Sequence, residues 1–265
     1  LTTSDPHQKV LKSHEYSEKW FNSKVKNELI KIGSAIPPKQ PSRPIKPVLL
    51  SPRDMPKRKT GNEKGRIALI HAIAHIELNA VDLHWDIIAR FSHIKMPNGF
   101  YDDWVKAAQE ESKHFSLLCN RLESMGSFYG ELPAHAGMWS SAEETSEDFL
   151  GRLAIVPMVL EARGLDVTPG MIKLFKNIND METVNTLETI YSEEVGHVAF
   201  GSKWFHFLCG RDNIDPKPKF HALVRQYFHG ALKPPFNEAK RAEAGIAPDF
   251  YWPLADEMLP PPAMR

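Results

Sequence analysis

Cysteine is scarce in this chain, and its scarcity excludes several kinds of protein. The 265 residues include two cysteines, Cys119 and Cys209, and both lie inside apolar helical patterns. Two cysteines cannot supply the disulfide framework of a small secreted domain or a four-cysteine rubredoxin or zinc module. We therefore interpret both as small buried hydrophobic residues of a protein in a reducing compartment.

Long apolar runs and an excess of charge are missing as well. No apolar run approaches the roughly 18 residues that a membrane span requires, and no apolar stretch follows a basic start. Lys plus Arg and Asp plus Glu balance at 33 each, so no overall field favours nucleic acid or membrane as an obligatory partner. We expect a cytoplasmic protein that has no membrane partner.

Fingerprints of nucleotide binding and of β-strands are also absent. The chain has no phosphate-binding loop, no dinucleotide-binding glycine pattern and no nucleophile-elbow serine. The alternating period of strands is nowhere sustained, whereas a 3.6-residue apolar period recurs over long stretches. The sequence therefore predicts an all-α protein.

Four long helical patterns occupy the central region, residues 64–211. A long loop at 127–145 separates the first two from the last two, which is the arrangement of a ferritin-like four-helix bundle with a long crossover. Pro157 should kink the third helix, and a short helical segment should follow Pro169. The predicted helices span about 64–92, 102–125, 146–164 and 181–209.

Extensions flank the predicted bundle on both sides, and we expect one structural domain overall. Residues 1–63 should form a peripheral helix, about 4–32, followed by a proline-rich basic strap that runs extended. Residues 212–265 should form further short helices, near 217–230 and 237–244, and a proline-rich tail from Pro248.

The basic residues between Lys39 and Arg66 leave two interpretations open. They either contact RNA phosphates or belong to a solvated linker. The segment lacks interleaved aromatic residues, which favours the linker.

Each helical pattern carries one glutamate that interrupts an otherwise apolar face. In the second and fourth helices that glutamate begins a Glu-x-x-His motif, whose two side chains point to the same side of the helix. Four carboxylates and two imidazoles form the ligand set of dinuclear carboxylate sites in bundles, and they suit iron or manganese. The proposed metal ligands are Glu77, Glu111, His114, Glu161, Glu194 and His197.

The pairing of the motifs carries this prediction. A single Glu-x-x-His is expected about once by chance in a chain of this length. Here two occur, and Glu111 follows Glu77 by 34 positions while Glu194 follows Glu161 by 33. Carboxylates in a core destabilise it by on the order of several kcal/mol each unless a cation compensates them. An internal duplication of a helix pair would explain the matched intervals.

Several neighbouring residues have two interpretations. Tyr191, one turn before Glu194, either bonds a ligand or is oxidised, or it is a core tyrosine. His84, two turns beyond the first lone glutamate, either lines an access channel or packs at the end of the bundle. His71 and His75 are four residues apart but face away from that glutamate, which argues against a second metal site.

Four charged residues near the motifs complete the candidates. Arg163 and Asp166 either orient a ligand histidine or form a salt bridge at a helix end. Glu110 and Glu193 precede the ligand glutamates but point about 100° away from them, so we expect both to be solvated.

Three segments around the proposed ligands resemble a known family. It is an uncharacterised bacterial ferritin-like family, a domain of unknown function, within the di-iron carboxylate superfamily; the resemblance covers most of residues 5–255. It implies a ferritin-like fold and a metal site at all six positions, and no substrate. More distantly, the chain is similar to the tRNA isopentenyladenosine hydroxylases. The segments are AHIELNAVD at 74–82, LEARGLDVTP at 160–169 and EEVGHVAFG at 193–201.

The favoured hypothesis is an oxidoreductase that activates O2 or peroxide with two iron ions, or with manganese or a mixed pair. Glu111 and Glu194 are the expected bridging ligands. Such an enzyme needs an external electron donor and a small-molecule or nucleoside substrate, and we expect a monomer or small homo-oligomer. The alternatives are a ferroxidase that handles iron, a tRNA-modifying hydroxylase that binds RNA through the strap, and a metal-free scaffold bundle.

Overall fold

The computed structural model describes residues 1–26, 31–51, 53–56 and 60–258, and over these residues the chain is all-α. The all-α class predicted from the sequence is therefore confirmed, and the ferritin-like four-helix bundle stays a prediction. The extended pairing seen in the described ranges is one isolated bridge between Leu49 and Ala134. None of the helices in the described ranges is long and apolar enough to cross a bilayer.

The chain divides into two compact units, Leu1–Glu143 and Glu144–Arg265. The expectation of a single domain with boundaries at 63 and 211 stays a prediction.

The first unit is built on three helices. They are α1, Pro6–Val25; α2, Glu63–Arg90; and α3, Asn98–Ser124. Asp5 caps α1 by accepting from the backbone N–H of Gln8, with Pro6 in the first turn as the sequence predicts. The α2 and α3 helices pack along their lengths, and α1 lies on α3, where Ser13 Oγ donates to the carbonyl of Ala108 at 3.1 Å.

The α3 helix begins four residues earlier than predicted. Pro97 occupies the position before it, and Asp102, where the predicted helix began, lies inside the helix. Its carboxylate instead accepts from the indole N–H of Trp20 on α1 at 2.8 Å and pairs with Lys24. The sequence did not reveal this partnership because the partners lie far apart in the chain.

The described part of the strap is irregular, as the recurring prolines predict. Leu50 N–H donates to the carbonyl of Ala134 at 2.8 Å, and Ala134 N–H donates to that of Val48 at 3.0 Å. The end of the predicted first helix at 27–30, and residues 52 and 57–59 of the basic segment, lie outside the described residues.

The second unit contains the counterparts of the third and fourth predicted helices. They are α5, Phe149–Ile155; a π-helical segment, Val156–Glu161; α6, Ala162–Asn177; and α7, Met181–Arg211. Asp148 and Asp180 cap α5 and α7 by accepting from backbone N–H groups of the first turn. The helix α4, Gly137–Glu144, lies in the first unit except for its last residue, and it forms in part of the region that we expected to be a loop.

Two expectations about prolines are corrected here. Pro157 does not simply kink a helix, because the chain forms a π-helical segment from Val156 that ends at Glu161. Pro169 does not interrupt α6, which runs through it to Asn177. The carbonyl of Leu165, which Pro169 cannot bond, accepts from Asn237 Nδ2 at 3.3 Å, so a side chain replaces the missing backbone donor.

The last part of the second unit is also more helical than predicted. It contains α8, Pro216–Tyr227; α9, Glu238–Glu243; and α10, Pro248–Met258. The third of these lies where we expected a proline-rich tail. Pro248 sits at its first position, and Phe250, Tyr251, Leu254 and Ala255 are buried, so burial of one apolar face stabilises this helix. Residues 259–265 of the predicted tail lie outside the described residues.

Candidate metal centre

In the first unit, three of the predicted ligands converge. Glu77 lies on α2, and Glu111 and His114 lie one turn apart on α3. Glu77 is 4% exposed, and the other two side chains are fully buried. One ligand atom from each of the three lies within 4.8 Å of the others, so a single metal ion can reach all three.

The atoms in this group are spaced more widely than in ordinary hydrogen bonds. His114 Nδ1 lies 3.3 Å from Glu77 Oε2 and 3.4 Å from Glu111 Oε2. Typical N–H···O distances are about 2.7–3.2 Å. The three side chains therefore contact one another around a common point, at distances near the long end of the hydrogen-bond range.

The electrostatics of the group favour a cation. Burial raises the pKa of Glu77 well above its ordinary value, and the neighbouring Glu111 carboxylate raises it further, while His114 opposes the shift. Two ionised carboxylates in this buried position are therefore unfavourable unless a cation lies beside them.

His84 on α2 extends this set. Its side chain is 1% exposed, and its Nε2 lies 3.5 Å from Glu111 Oε1. The ring packs on Trp104 with 5.3 Å between the ring centres. The two oxygens of Glu111 therefore face different imidazoles, Oε2 towards His114 and Oε1 towards His84. The sequence placed His84 on the ligand face but could not reveal this contact.

The second unit holds the other three predicted ligands. Glu194 and His197 lie one turn apart on α7, and His197 Nδ1 is 3.6 Å from Glu194 Oε1. Glu161 is the last residue of the π-helical segment. Their exposed fractions are 7% for Glu161, 9% for Glu194 and 0% for His197. The same residue types at the same helical spacing are thus buried in both units.

Close packing fixes the π-helical segment against α7. A Cβ added to Gly201 would lie 2.4 Å from both Cβ and Cγ of Pro157. Such an approach is possible only without a side chain at that position. Gly201 therefore allows α7 to approach the segment that ends at Glu161 closely, and its place on the apolar face was the only sign of this role in the sequence.

Tyr191 lies on α7 and is half-buried. Its hydroxyl accepts a hydrogen bond from Asn237 Nδ2 at 2.7 Å, and burial is the main cause of the raised pKa of the phenol. The hydrogen-bond partner of Tyr191 is therefore Asn237, which precedes α9. A catalytic role of Tyr191 stays a prediction.

Arg163 and Asp166 tie the last part of the chain to α6. Asp166 is fully buried and accepts two bonds from Arg241 on α9, at 2.9 Å from Nε and 2.7 Å from Nη2. Arg163 Nη1 donates to the carbonyl of Lys233 at 2.7 Å and lies 3.4 Å from Asp166. Of the two interpretations left open, these contacts favour a structural salt bridge.

The remaining candidates lie outside the ligand groups. Glu110 and Glu193 are partly exposed, and Glu110 lies 3.7 Å from Lys106. His75 Nδ1 lies 2.9 Å from the hydroxyl of Tyr129, and the neighbouring His71 Nε2 accepts from a backbone N–H. In the described residues neither histidine belongs to a group that could hold a metal.

A family model covers nearly the whole chain. The model described as "Protein of unknown function (DUF455)" matches residues 2–252. The chain belongs to this family. The DUF455 protein is also 41% identical over 208 residues to a protein of Haemophilus influenzae that is described as an uncharacterized protein, covering 77% of this chain and 72% of that one. No solved structure shows significant similarity to it.

Proposed function

We propose that this DUF455 protein is a dinuclear-metal oxidoreductase, with iron as the favoured metal. One observation carries the proposal: Glu77, Glu111 and His114 bring two carboxylates and an imidazole to one buried point, each with a ligand atom within 4.8 Å of the others. Oxygen and imidazole ligands without thiolate suit iron or manganese.

The atomic spacing supports a metal at that point. Two donor atoms bound about 2.1 Å from one ion lie about 3.0–3.4 Å apart, depending on whether the angle is octahedral or tetrahedral. The separations of 3.3 and 3.4 Å around His114 Nδ1 match that range. The spacing of 3.6 Å between His197 and Glu194 lies just above it.

Charge balance supports two ions rather than one. The four buried glutamates carry four negative charges when ionised, and two divalent ions supply the same positive charge. An uncompensated buried carboxylate destabilises a protein by on the order of several kcal/mol. We therefore assign both sets of ligands to one metal pair in a ferritin-like bundle, as the matched intervals in the sequence suggest. The six residues are Glu77, Glu111, His114, Glu161, Glu194 and His197.

The residues of the chain would orient the metals and exclude water. When bound, a pair of iron ions supplies the reducing equivalents with which O2 or peroxide is activated for oxidation of a substrate. The glutamates hold the charge, and the two imidazoles contribute neutral donors. The aromatic ring of Trp104 and the apolar residues of α2 and α3 shield the carboxylates from solvent.

Oxygen consumption by the reduced protein tests this function. The protein is loaded with ferrous iron without oxygen, freed of unbound iron by gel filtration, and mixed with oxygenated buffer in an oxygen electrode. We expect rapid uptake that scales with protein concentration. An uptake no faster than that of the buffer would count decisively against the proposal.

The two glutamate doublets provide matched variants. Changing Glu111 and Glu194 together to Gln removes one carboxylate from each buried set, so we expect uptake to fall by at least about 100-fold. Changing Glu110 and Glu193 to Gln alters the same residue type one position earlier, where the side chains are partly exposed, and should leave uptake within about twofold. Equal rates for both variants would contradict the assignment.

The same preparation separates the alternatives. An iron store predicts many ions per chain and a particle far larger than a dimer on gel filtration. A metal-free scaffold predicts no bound iron and identical thermal stability for both double variants. Either result would exclude the oxidoreductase.

A further inference from the structure

We propose that His84 is a seventh metal-binding residue, which binds the ion held by Oε1 of Glu111. This inference rests on the proposed function, and it adds an imidazole that the Glu-x-x-His motifs do not contain. His84 lies seven positions beyond Glu77 on α2, two helical turns further along the same face.

Each oxygen of Glu111 lies near one imidazole nitrogen. Oε2 lies 3.4 Å from His114 Nδ1, and Oε1 lies 3.5 Å from His84 Nε2. Both separations exceed the usual length of a hydrogen bond and are close to the spacing of two donors on one ion. A carboxylate that faces an imidazole at each oxygen is arranged to bridge two ions, with one imidazole for each.

The surroundings of His84 hold its ring in place. The side chain is 1% exposed, and Trp104 packs on the ring at 5.3 Å with an angle of 30° between the planes. A histidine held this rigidly by packing binds a metal without losing further side-chain freedom. Its neutral imidazole also leaves the charge of four carboxylates and two divalent ions in balance.

Counting the imidazoles around the metal tests the inference. X-ray absorption at the iron edge distinguishes imidazole ligands by the scattering of their outer ring atoms. We expect three imidazoles per metal pair in the wild-type protein. Two imidazoles would overturn the assignment of His84 and leave the proposed function standing, whereas a wild-type protein that binds no metal would overturn both.

Two substitutions separate binding from positioning. His84→Phe preserves the packing on Trp104 and removes both nitrogens, and His84→Gln preserves a side-chain N–H donor. If His84 binds the metal, both variants should show two imidazoles per pair and bind one of the two ions at least about tenfold more weakly. If it only donates a hydrogen bond to Glu111, Gln should restore affinity and leave the imidazole count unchanged, which would overturn the proposal.

A third variant is the control. His93→Gln removes an exposed histidine that lies beyond the end of α2. Its imidazole count and iron affinity should equal those of the wild type. A change in either would show that the count does not report the buried site, and the assignment would fall.

Discussion

At the scale of single residues, two buried acids lie close together in the first unit. Glu77 and Glu111 share one buried point, and the charge of Glu111 contributes to the raised pKa of Glu77. The sequence identified both because each interrupts an apolar helical face. It could not identify the contact of His84 with Glu111, because that contact depends on how α2 and α3 are aligned.

The substitution Glu111→Gln should have opposite effects with and without metal. In the metal-free protein it removes a buried charge next to Glu77, so we expect the free energy of unfolding at pH 7 to rise by on the order of 1 kcal/mol. In the iron-loaded protein it removes a ligand, so the melting temperature should fall below that of the loaded wild type. Thermal unfolding with and without a chelator measures both, and destabilisation of the metal-free form would contradict the account.

The two cysteines should be inert in the folded protein. Burial is the main cause of the raised thiol pKa, to about 12 for Cys119 and to about 11 for Cys209. At pH 8 the reactive thiolate is then about one part in a thousand or less. We expect no reaction with a disulfide reagent over minutes, and two reacting thiols after denaturation. A thiol that reacts quickly in the folded state would disprove the buried assignment.

At the scale of elements, the expectations about two prolines were wrong because distant residues contact the segments that contain them. A separate short helix was expected to follow Pro169, but α6 runs through this residue, and Asn237 supplies the missing donor to the carbonyl of Leu165. Pro157 was expected to kink a helix, and a π-helical segment forms instead. Both prolines have a contact outside their own segment, because Asn237 bonds the carbonyl of Leu165 and Gly201 on α7 leaves room for Pro157. The local sequence shows neither contact.

The approach of Gly201 to Pro157 predicts opposite effects for two glycines of α7. Gly201→Ala would force the π-helical segment away, so we expect a loss of at least about 1–3 kcal/mol in unfolding free energy and weaker iron binding. Gly196→Ala meets nothing within 4 Å and should stabilise the helix by about 0.5–1 kcal/mol. Chemical denaturation measures both, and equal effects of the two substitutions would refute the role of Gly201.

Two arginines with similar geometry but different burial give a second comparison. Arg241 bonds Asp166 through two nitrogens in a buried site, and Arg225 bonds Glu257 in the same way at half-exposed positions. Arg241→Ala leaves a buried carboxylate without its partner, so we expect a loss of about 3–5 kcal/mol. Arg225→Ala should leave the denaturation midpoint nearly unchanged, because water replaces the lost partner. A loss of unfolding free energy as small for Arg241→Ala as for Arg225→Ala would show that buried Asp166 does not need Arg241 as its partner.

For the whole molecule, the hydrophobic period predicted the all-α class and the long helices α2, α3 and α7. It did not show that the third pattern divides into α5, a π-helical segment and α6. The apolar spacing repeats over many turns, so it predicts a helix more reliably than a single proline or glycine predicts where the helix ends. It did not predict α4 or α10, which are short and contain few turns, or the bonds that join the strap to Ala134. Such features depend on contacts between distant parts of the chain.

The central claim is that the folded chain holds two metal ions. Native mass spectrometry of the protein, loaded with ferrous iron without oxygen and freed of unbound iron, measures this most directly. We expect a single folded species whose mass exceeds that of the metal-free chain by two iron ions, and we expect this increment to be lost when Glu111 and Glu194 are both changed to Gln. A wild-type protein that keeps the mass of its metal-free chain would contradict it.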